Sequence, residues 1–226
     1  MRLGVLFSGG KDSTLAMLRV MKEHRIVGLI TIISENPESF MFHTPNIHLA
    51  EMQAEAMGLP LVSVKTKGEK EKELDDLKKA IEEAKSIYGI EGIVTGAVQS
   101  RYQSDRIKRI CKELGIACIS PLWQMDQLEL LNEVVESGMH VVISGVFAEP
   151  LGKELLGRQI DRSVVETLKK AAETHGINPA GEGGEIETTV LDAPFFRKKI
   201  VVRKISIEHK GFAGTCRIVQ AELVEK

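Results

Sequence analysis

The chain opens on a short apolar run, Leu3–Phe7, stopped by Ser8-Gly9-Gly10, after which Leu15, Leu18 and Met21 recur at helical spacing. Ile26–Ile33 is continuous and β-branched, as expected for a strand covered on both faces. Ala50–Met57 reads as a helix closed by Gly58, and Pro60–Val64 as the next strand. From Gly68 to Tyr88 the chain is highly charged, yet Leu74, Leu77, Ile81, Ala84 and Ile87 form one apolar stripe that Gly89 ends. Ile90–Thr95 predicts a fourth strand, Ile107, Ile110, Cys111 and Leu114 a fourth core-facing helix, and Ile116–Ile119 a fifth strand. Repeated β-α units of this length predict an α/β fold: a five-stranded parallel sheet with right-handed crossovers and helices on both faces.

After Pro121 the pattern changes. Leu128–Val135 reads as helical, His140–Phe147 as a strand, and Val164–His175 as a helix capped by Gly176. From Ile186 onward the chain is β-rich: Ile186–Leu191, then Lys199–Ile207 and Thr215–Leu223 as a hairpin around residues 209–214. The reading is a first domain over residues 1–122 and a smaller α+β domain over 123–226.

The 226 residues fit one large domain or two small ones, and 30 Lys+Arg against 32 Asp+Glu leave a net charge of -2. That balance excludes a basic nucleic-acid coat or a polybasic membrane anchor, although not a local basic patch. No apolar run has the length of a membrane span, so a cytoplasmic protein is expected. Cys111, Cys118 and Cys216 form neither a disulfide framework nor a zinc spacing.

Ser8-Gly9-Gly10-Lys11-Asp12-Ser13-Thr14, between the first strand and the first helix, carries the most chemistry. Glycines there let backbone N–H groups approach an anion, and a helix N-terminus adds its positive end. Lys11 brings a full charge, and Ser8, Ser13 and Thr14 bring hydroxyls. Asp12 would repel phosphate unless a cation intervenes, which points to a magnesium ion bound with a nucleotide. The spacing does not fit a Walker A loop: with Gly4 and Gly9 as its glycines, Gly10 takes the place of the lysine.

Two further segments read either as parts of one site with this loop or as plain surface, the first a polar loop with a solvated helix face and the second an acidic turn before a strand. Gln99, Ser100, Tyr102, Gln103 and Arg106 follow the fourth strand, where parallel sheets bind ligands. Gly181-Glu182-Gly183-Gly184-Glu185-Ile186-Glu187-Thr188 precedes a strand, and Glu185 and Glu187 would then share a face, suited to a metal, a cationic substrate or an amine. A third segment, Met41–Asn46, reads equally as a cover for a base or as a loop burying Phe42.

The S-G-G-K-D-S loop resembles that of the PP-loop (N-type) ATP pyrophosphatases, which carry it after the first strand of a Rossmann-like sheet. With Gly96-Ala97-Val98 through Arg106, Ser120-Pro121-Leu122-Trp123, and the Glu182–Thr188 motif with Asp192-Ala193-Pro194, the chain is similar over nearly its full length to the diphthine–ammonia ligase family, in its short archaeal form. Longer eukaryotic relatives append further domains. Ala193 departs from the glycine expected there.

The resemblance implies a ligase that adenylates the carboxylate of diphthine on elongation factor 2 with Mg-ATP, then transfers ammonia, releasing AMP and pyrophosphate. It implies catalytic roles for Lys11, Asp12, Glu182, Glu185 and Glu187, with Asp12 on magnesium. ATP is expected on Ser8, Gly9, Gly10, Lys11, Asp12, Ser13, Thr14, Ile33, Ser34, His43 and Gly96. The substrate is expected on Gln99, Ser100, Tyr102, Gln103, Arg106, Glu182, Gly183, Gly184, Glu185, Glu187, Thr188 and Asp192, those from Glu182 onward lying in the substrate-binding second domain. The implied partners are elongation factor 2 and ammonium, with no stable nucleic acid and no membrane, and a homodimer left open. The rival readings are a PP-loop sulfur-transfer enzyme acting on tRNA and a non-catalytic nucleotide sensor.

Overall fold

The computed structural model describes residues 1–36, 45–69 and 72–226. Five parallel strands form the first sheet: β1 (Arg2–Leu6), β2 (Arg25–Ser34), β3 (Leu61–Thr66), β4 (Gly92–Val94) and β5 (Ala117–Ile119), in the order β3-β2-β1-β4-β5. The intervening helices are α1 (Lys11–Val20), α2 (Ala50–Met57), α3 (Lys72–Tyr88) and α4 (Arg101–Glu113). One sheet face packs Ile30, Ile32 and Ile93 on Leu74, Leu77 and Ile81 of α3 and on Ile107 and Ile110 of α4. The other packs Leu3, Val5 and Leu29 on Leu15 and Met17 of α1 and Ala54 and Met57 of α2. Helices therefore cover both faces, as the doubly apolar strands require. Ile87, read as the end of the α3 stripe, is instead 59% exposed: the stripe drifts out of the interface in the last turn.

The second half adds α5 (Gln127–Glu136), β6 (His140–Val146), α6 (Arg162–His175), β7 (Ile186–Asp192), β8 (Lys198–Lys210) and β9 (Ala213–Glu225). Its strands form an antiparallel sheet in the order β7-β6-β9-β8. The hairpin strands are longer than the sequence predicts, because pairing runs to Lys210↔Ala213 and leaves only Gly211 and Phe212 in the turn.

The apolar interior is continuous across the halves. Leu3 and Val5 of β1, with Phe7 just beyond it, belong to one cluster with Leu130, Leu131, Val190 and Cys216. Arg19 of α1 adds a polar tie: its Nε donates to Glu133 Oε1 of α5 at 2.8 Å and its Nη1 to the Pro121 carbonyl at 2.9 Å. Among the described residues no helix is long and apolar enough to cross a membrane.

Candidate active site

β1 and β4 lie side by side while their chain order reverses direction across the sheet, so a crevice opens at their carboxyl ends. A cavity of about 600 Å³ occupies it. One end is apolar, walled by Leu6, Ile30, Ile32, Leu77 and Ile107, and suits a flat base. The middle is the Ser8–Ser13 loop with Gly96, and the far wall is residues 181–184 and 186–188 with Phe147 of the second half.

The loop is fastened internally and from behind. Thr14, fully buried, donates its hydroxyl to the Gly10 carbonyl at 2.9 Å, and the Ser8 and Ser13 hydroxyls stand 3.2 Å apart. Gly96 must be glycine for space: a Cβ there would stand 2.6 Å from the Ser13 amide nitrogen, at the start of α1. Behind the loop lies β7. The Lys11 backbone N–H donates to the Thr188 hydroxyl at 3.1 Å, and the Val190 N–H to the Gly9 carbonyl at 2.9 Å. The Lys11 side chain is 3% exposed; its Nζ donates to the Ala180 carbonyl at 2.5 Å and to Asp12 Oδ2 at 2.9 Å.

Three carboxylates meet around this lysine. Burial raises the Glu187 carboxyl to about 7, with Lys11 pulling it down and Asp12 pushing it up. Burial also raises Glu182, opposed by the Gln99 backbone N–H, which donates to its Oε2 at 2.9 Å. Glu185 is used differently. Its Oε1 accepts from the backbone and side-chain nitrogens of Asn178 at 2.9 and 2.6 Å, and its Oε2 from the Gly183 N–H at 2.8 Å. It closes the turn and does not line the cavity, so Glu185 and Glu187 do not act as a same-face pair.

Of the other expected residues, the cavity gathers Ser8, Gly10, Ser13, Gly96, Ser100, Gln103, Gly183, Gly184 and Thr188. Gly9 and Thr14 support the loop without lining it. Ile33 also stands outside, because side chains alternate along β2 and Ile30 and Ile32 take the inward positions. The Ser34 hydroxyl is spent on the Asn36 carbonyl at 3.0 Å. Gln99 contributes its backbone, and its side chain is exposed. Tyr102 and Arg106 stack on each other, guanidinium carbon 3.4 Å from the ring centre, outside the cavity lining. Asp192 sits at the other end of β7, where Lys226 Nζ donates to it at 2.5 Å. His43, with Met41 and Phe42, lies outside the described residues.

Sequence reasoning missed the apolar end of the cavity, Phe147, and Gln53 of α2. The alternation of β2 held the signal for Ile30 and Ile32; nothing local marks the other two.

A magnesium ion fits the donor set. Asp12 Oδ1 is buried without a hydrogen-bond partner, beside phosphate-type donors. Among the described residues no group of three His, Cys, Asp or Glu side chains forms a cage. One carboxylate completed by substrate phosphates is the usual way proteins hold magnesium.

A family model described as the diphthamide synthase N-terminal domain matches residues 1–118, and one described as the diphthamide synthase C-terminal domain matches residues 126–224. The chain belongs to the diphthamide synthase family. The diphthine–ammonia ligase of Bos taurus is 35% identical over 225 residues, covering 89% of this chain and 83% of that protein. The diphthine–ammonia ligase of Schizosaccharomyces pombe is 35% identical over 226 residues, covering 91% of this chain but 37% of that protein. The added length expected of eukaryotic relatives is thus large in the yeast protein and small in the bovine one. Among solved structures, a predicted subunit of tRNA methyltransferase from Methanocaldococcus jannaschii aligns with a TM-score of 0.46 at 20% identity, covering 86% of this chain and 98% of that one. A likeness at that level bears on neither reaction nor substrate.

Proposed function

We propose that this member of the diphthamide synthase family is an ATP-dependent diphthine–ammonia ligase, with elongation factor 2 as its cytoplasmic protein substrate. The observation that carries this reading is the joining of phosphate loop and acidic wall in one cavity, with the Lys11 N–H on the Thr188 hydroxyl. ATP lies with its base at the apolar end and its phosphates on Ser8–Ser13. Asp12 would hold a magnesium ion, which would supply counter-charge to the phosphates.

The diphthine carboxylate attacks the α-phosphorus, the bond to the β-phosphate oxygen breaks, and pyrophosphate leaves against Lys11 and the loop amides. Ammonia then attacks the acyl carbon, AMP departs, and the proton shed by nitrogen passes to a carboxylate of the second half. Glu187 suits that role because its carboxyl titrates at about 7, where a base both binds and releases protons. Phe147 shares its wall. A Cβ at Gly145 would stand 2.5 Å from the Phe147 ring and 3.2 Å from Glu187 Cβ, so Gly145 makes room for both. An aromatic face beside carboxylates recognises a quaternary ammonium, and the trimethylammonium of diphthine docks there.

The sulfur-transfer reading is less well supported: none of the three thiols lines the cavity. The test is a reaction containing magnesium, ATP, ammonium and diphthine-bearing elongation factor 2. AMP and amide should form together. ADP as product, or AMP release indifferent to the protein substrate, would overturn the proposal.

A further inference from the structure

We propose that Gln53 is a positioning residue: it locks the phosphate loop to β7 and so keeps ATP activation coupled to amide formation. The proposal rests on the ligase reading above. Gln53 lies on α2, is 1% exposed, and does not line the cavity. Its Nε2 donates to the Gly9 carbonyl at 2.9 Å and to the Val190 carbonyl at 2.8 Å, reaching partners 44 and 137 positions away. The Val190 N–H also donates to the Gly9 carbonyl. Both hydrogens of the amide nitrogen and both lone pairs of that carbonyl are thereby spent, so the joint is closed.

The Val190 N–H reaches the Gly9 carbonyl and the N–H of Lys11, the first residue of α1, reaches the Thr188 hydroxyl, so the turn into α1 is fastened to β7 at two points. Glu187 keeps its face through the pairing of β7 with β6, where it stands opposite Gly145; the joint instead holds the loop against β7, in which Glu187 is the second residue. The loop carries the activated phosphate and β7 carries the carboxylate that serves the nitrogen. Gln53 is the one side chain that bonds both backbones at once among the described contacts.

A loosened joint predicts a particular fault. The acyl-adenylate still forms, but ammonia is no longer held in line, and water attacks the acyl carbon instead. AMP leaves and the carboxylate is regenerated, so ATP is hydrolysed to AMP and pyrophosphate without an amide. A merely structural role lowers AMP and amide together; a positioning role changes their ratio.

The experiment measures AMP and amide in the same reaction for wild type and Gln53→Met, which keeps the side-chain length and removes both donors. Wild type should give about one amide per AMP. Gln53→Met should give at least about threefold fewer, with the ratio recovering as ammonium is raised, since ammonia then outcompetes water. Thr188→Val, which removes the Lys11 acceptor at the other end of the same pairing, should shift the ratio in the same direction and decides the matter if Gln53→Met does not fold. An unchanged ratio in the folded variants, however slow they are, sinks the positioning role. A wild type that makes no AMP in response to diphthine would instead sink the ligase reading, before either variant is compared.

Discussion

The Glu182 carboxylate accepts the backbone N–H of Gln99 at 2.9 Å, tying the glycine-rich segment before β7 to the loop that leaves β4. The bond joins two chain segments 83 residues apart across the mouth of the cavity. Glu182 thus carries a charge toward the site and a tether for its rim, and two substitutions separate them. Glu182→Gln keeps an acceptor for Gln99 and loses the charge; amide formation should fall by about a hundredfold with little change in KM for ATP. Glu182→Ala loses both, and KM for ATP should rise as well. Steady-state AMP release against ATP concentration distinguishes the two, and identical KM values would show that the tether does not matter.

Glu187 gives the protein a pH signature in the absence of ATP and magnesium. Its carboxyl lies at about 7 when folded against an ordinary 4.5, so the folded chain holds this proton more tightly than the unfolded one. The stability it contributes is complete below the unfolded value and lost as pH rises through the folded one. The gap is worth about 3 kcal/mol at most, less because the side chain keeps some contact with cavity water. Glu187→Gln removes the titration. Its Tm should fall less than that of wild type between about pH 5 and about pH 8, and should match or exceed it at the upper end. Parallel Tm curves would contradict the assignment.

Phe147 should govern the protein substrate and leave the nucleotide alone. Its removal as Phe147→Leu forfeits an aromatic face worth about 0.5–2 kcal/mol to a cation, a rise in KM for diphthine-bearing protein of about twofold to thirtyfold. KM for ATP should stay within about twofold, because the proposed seat of the base is the apolar end. Competition by free tetramethylammonium should weaken in the variant. Equal inhibition of both proteins would place the cation elsewhere.

Gly96 offers a test from packing alone. Gly96→Ala would press a methyl against the backbone of Ser13 at 2.6 Å, where no side chain can swing away. Either α1 or the loop after β4 must move, and both border the proposed phosphate site. KM for ATP should rise by about tenfold or more, corresponding to about 1.4 kcal/mol of lost binding, while folding persists in circular dichroism. Unaltered nucleotide binding would mean that α1 and the loop after β4 yield to the methyl without disturbing the nucleotide.

The sheet and its helices were legible because each strand is a continuous apolar run and each helix a stripe, which are local patterns. The loop Ser8–Thr14 was legible for the same reason: its glycines, lysine and hydroxyls are adjacent in the chain. Glu182 and Glu187 were recognisable as a motif, but the use of Glu185 was not. Whether its carboxylate reaches the cavity or folds back on Asn178 depends on the turn at residues 181–184, not on residue type. Gln53 was invisible because a polar residue in a short helix ordinarily marks the solvent face, and its partners lie far away in sequence. Ile33 and Ile32 differ by one place on β2, a parity that an unbroken apolar run cannot reveal.

The continuous interior also decides how the molecule survives damage. A protease cutting between Ile119 and Gln127 would leave Leu3, Val5 and Phe7 on one fragment and Leu130, Leu131 and Val190 on the other, each bared where the cluster had joined them. Such fragments would aggregate or be cleared rather than persist as a free nucleotide-binding half. Intact enzyme or none should be found, so a cell could not accumulate a piece that consumes ATP without making an amide.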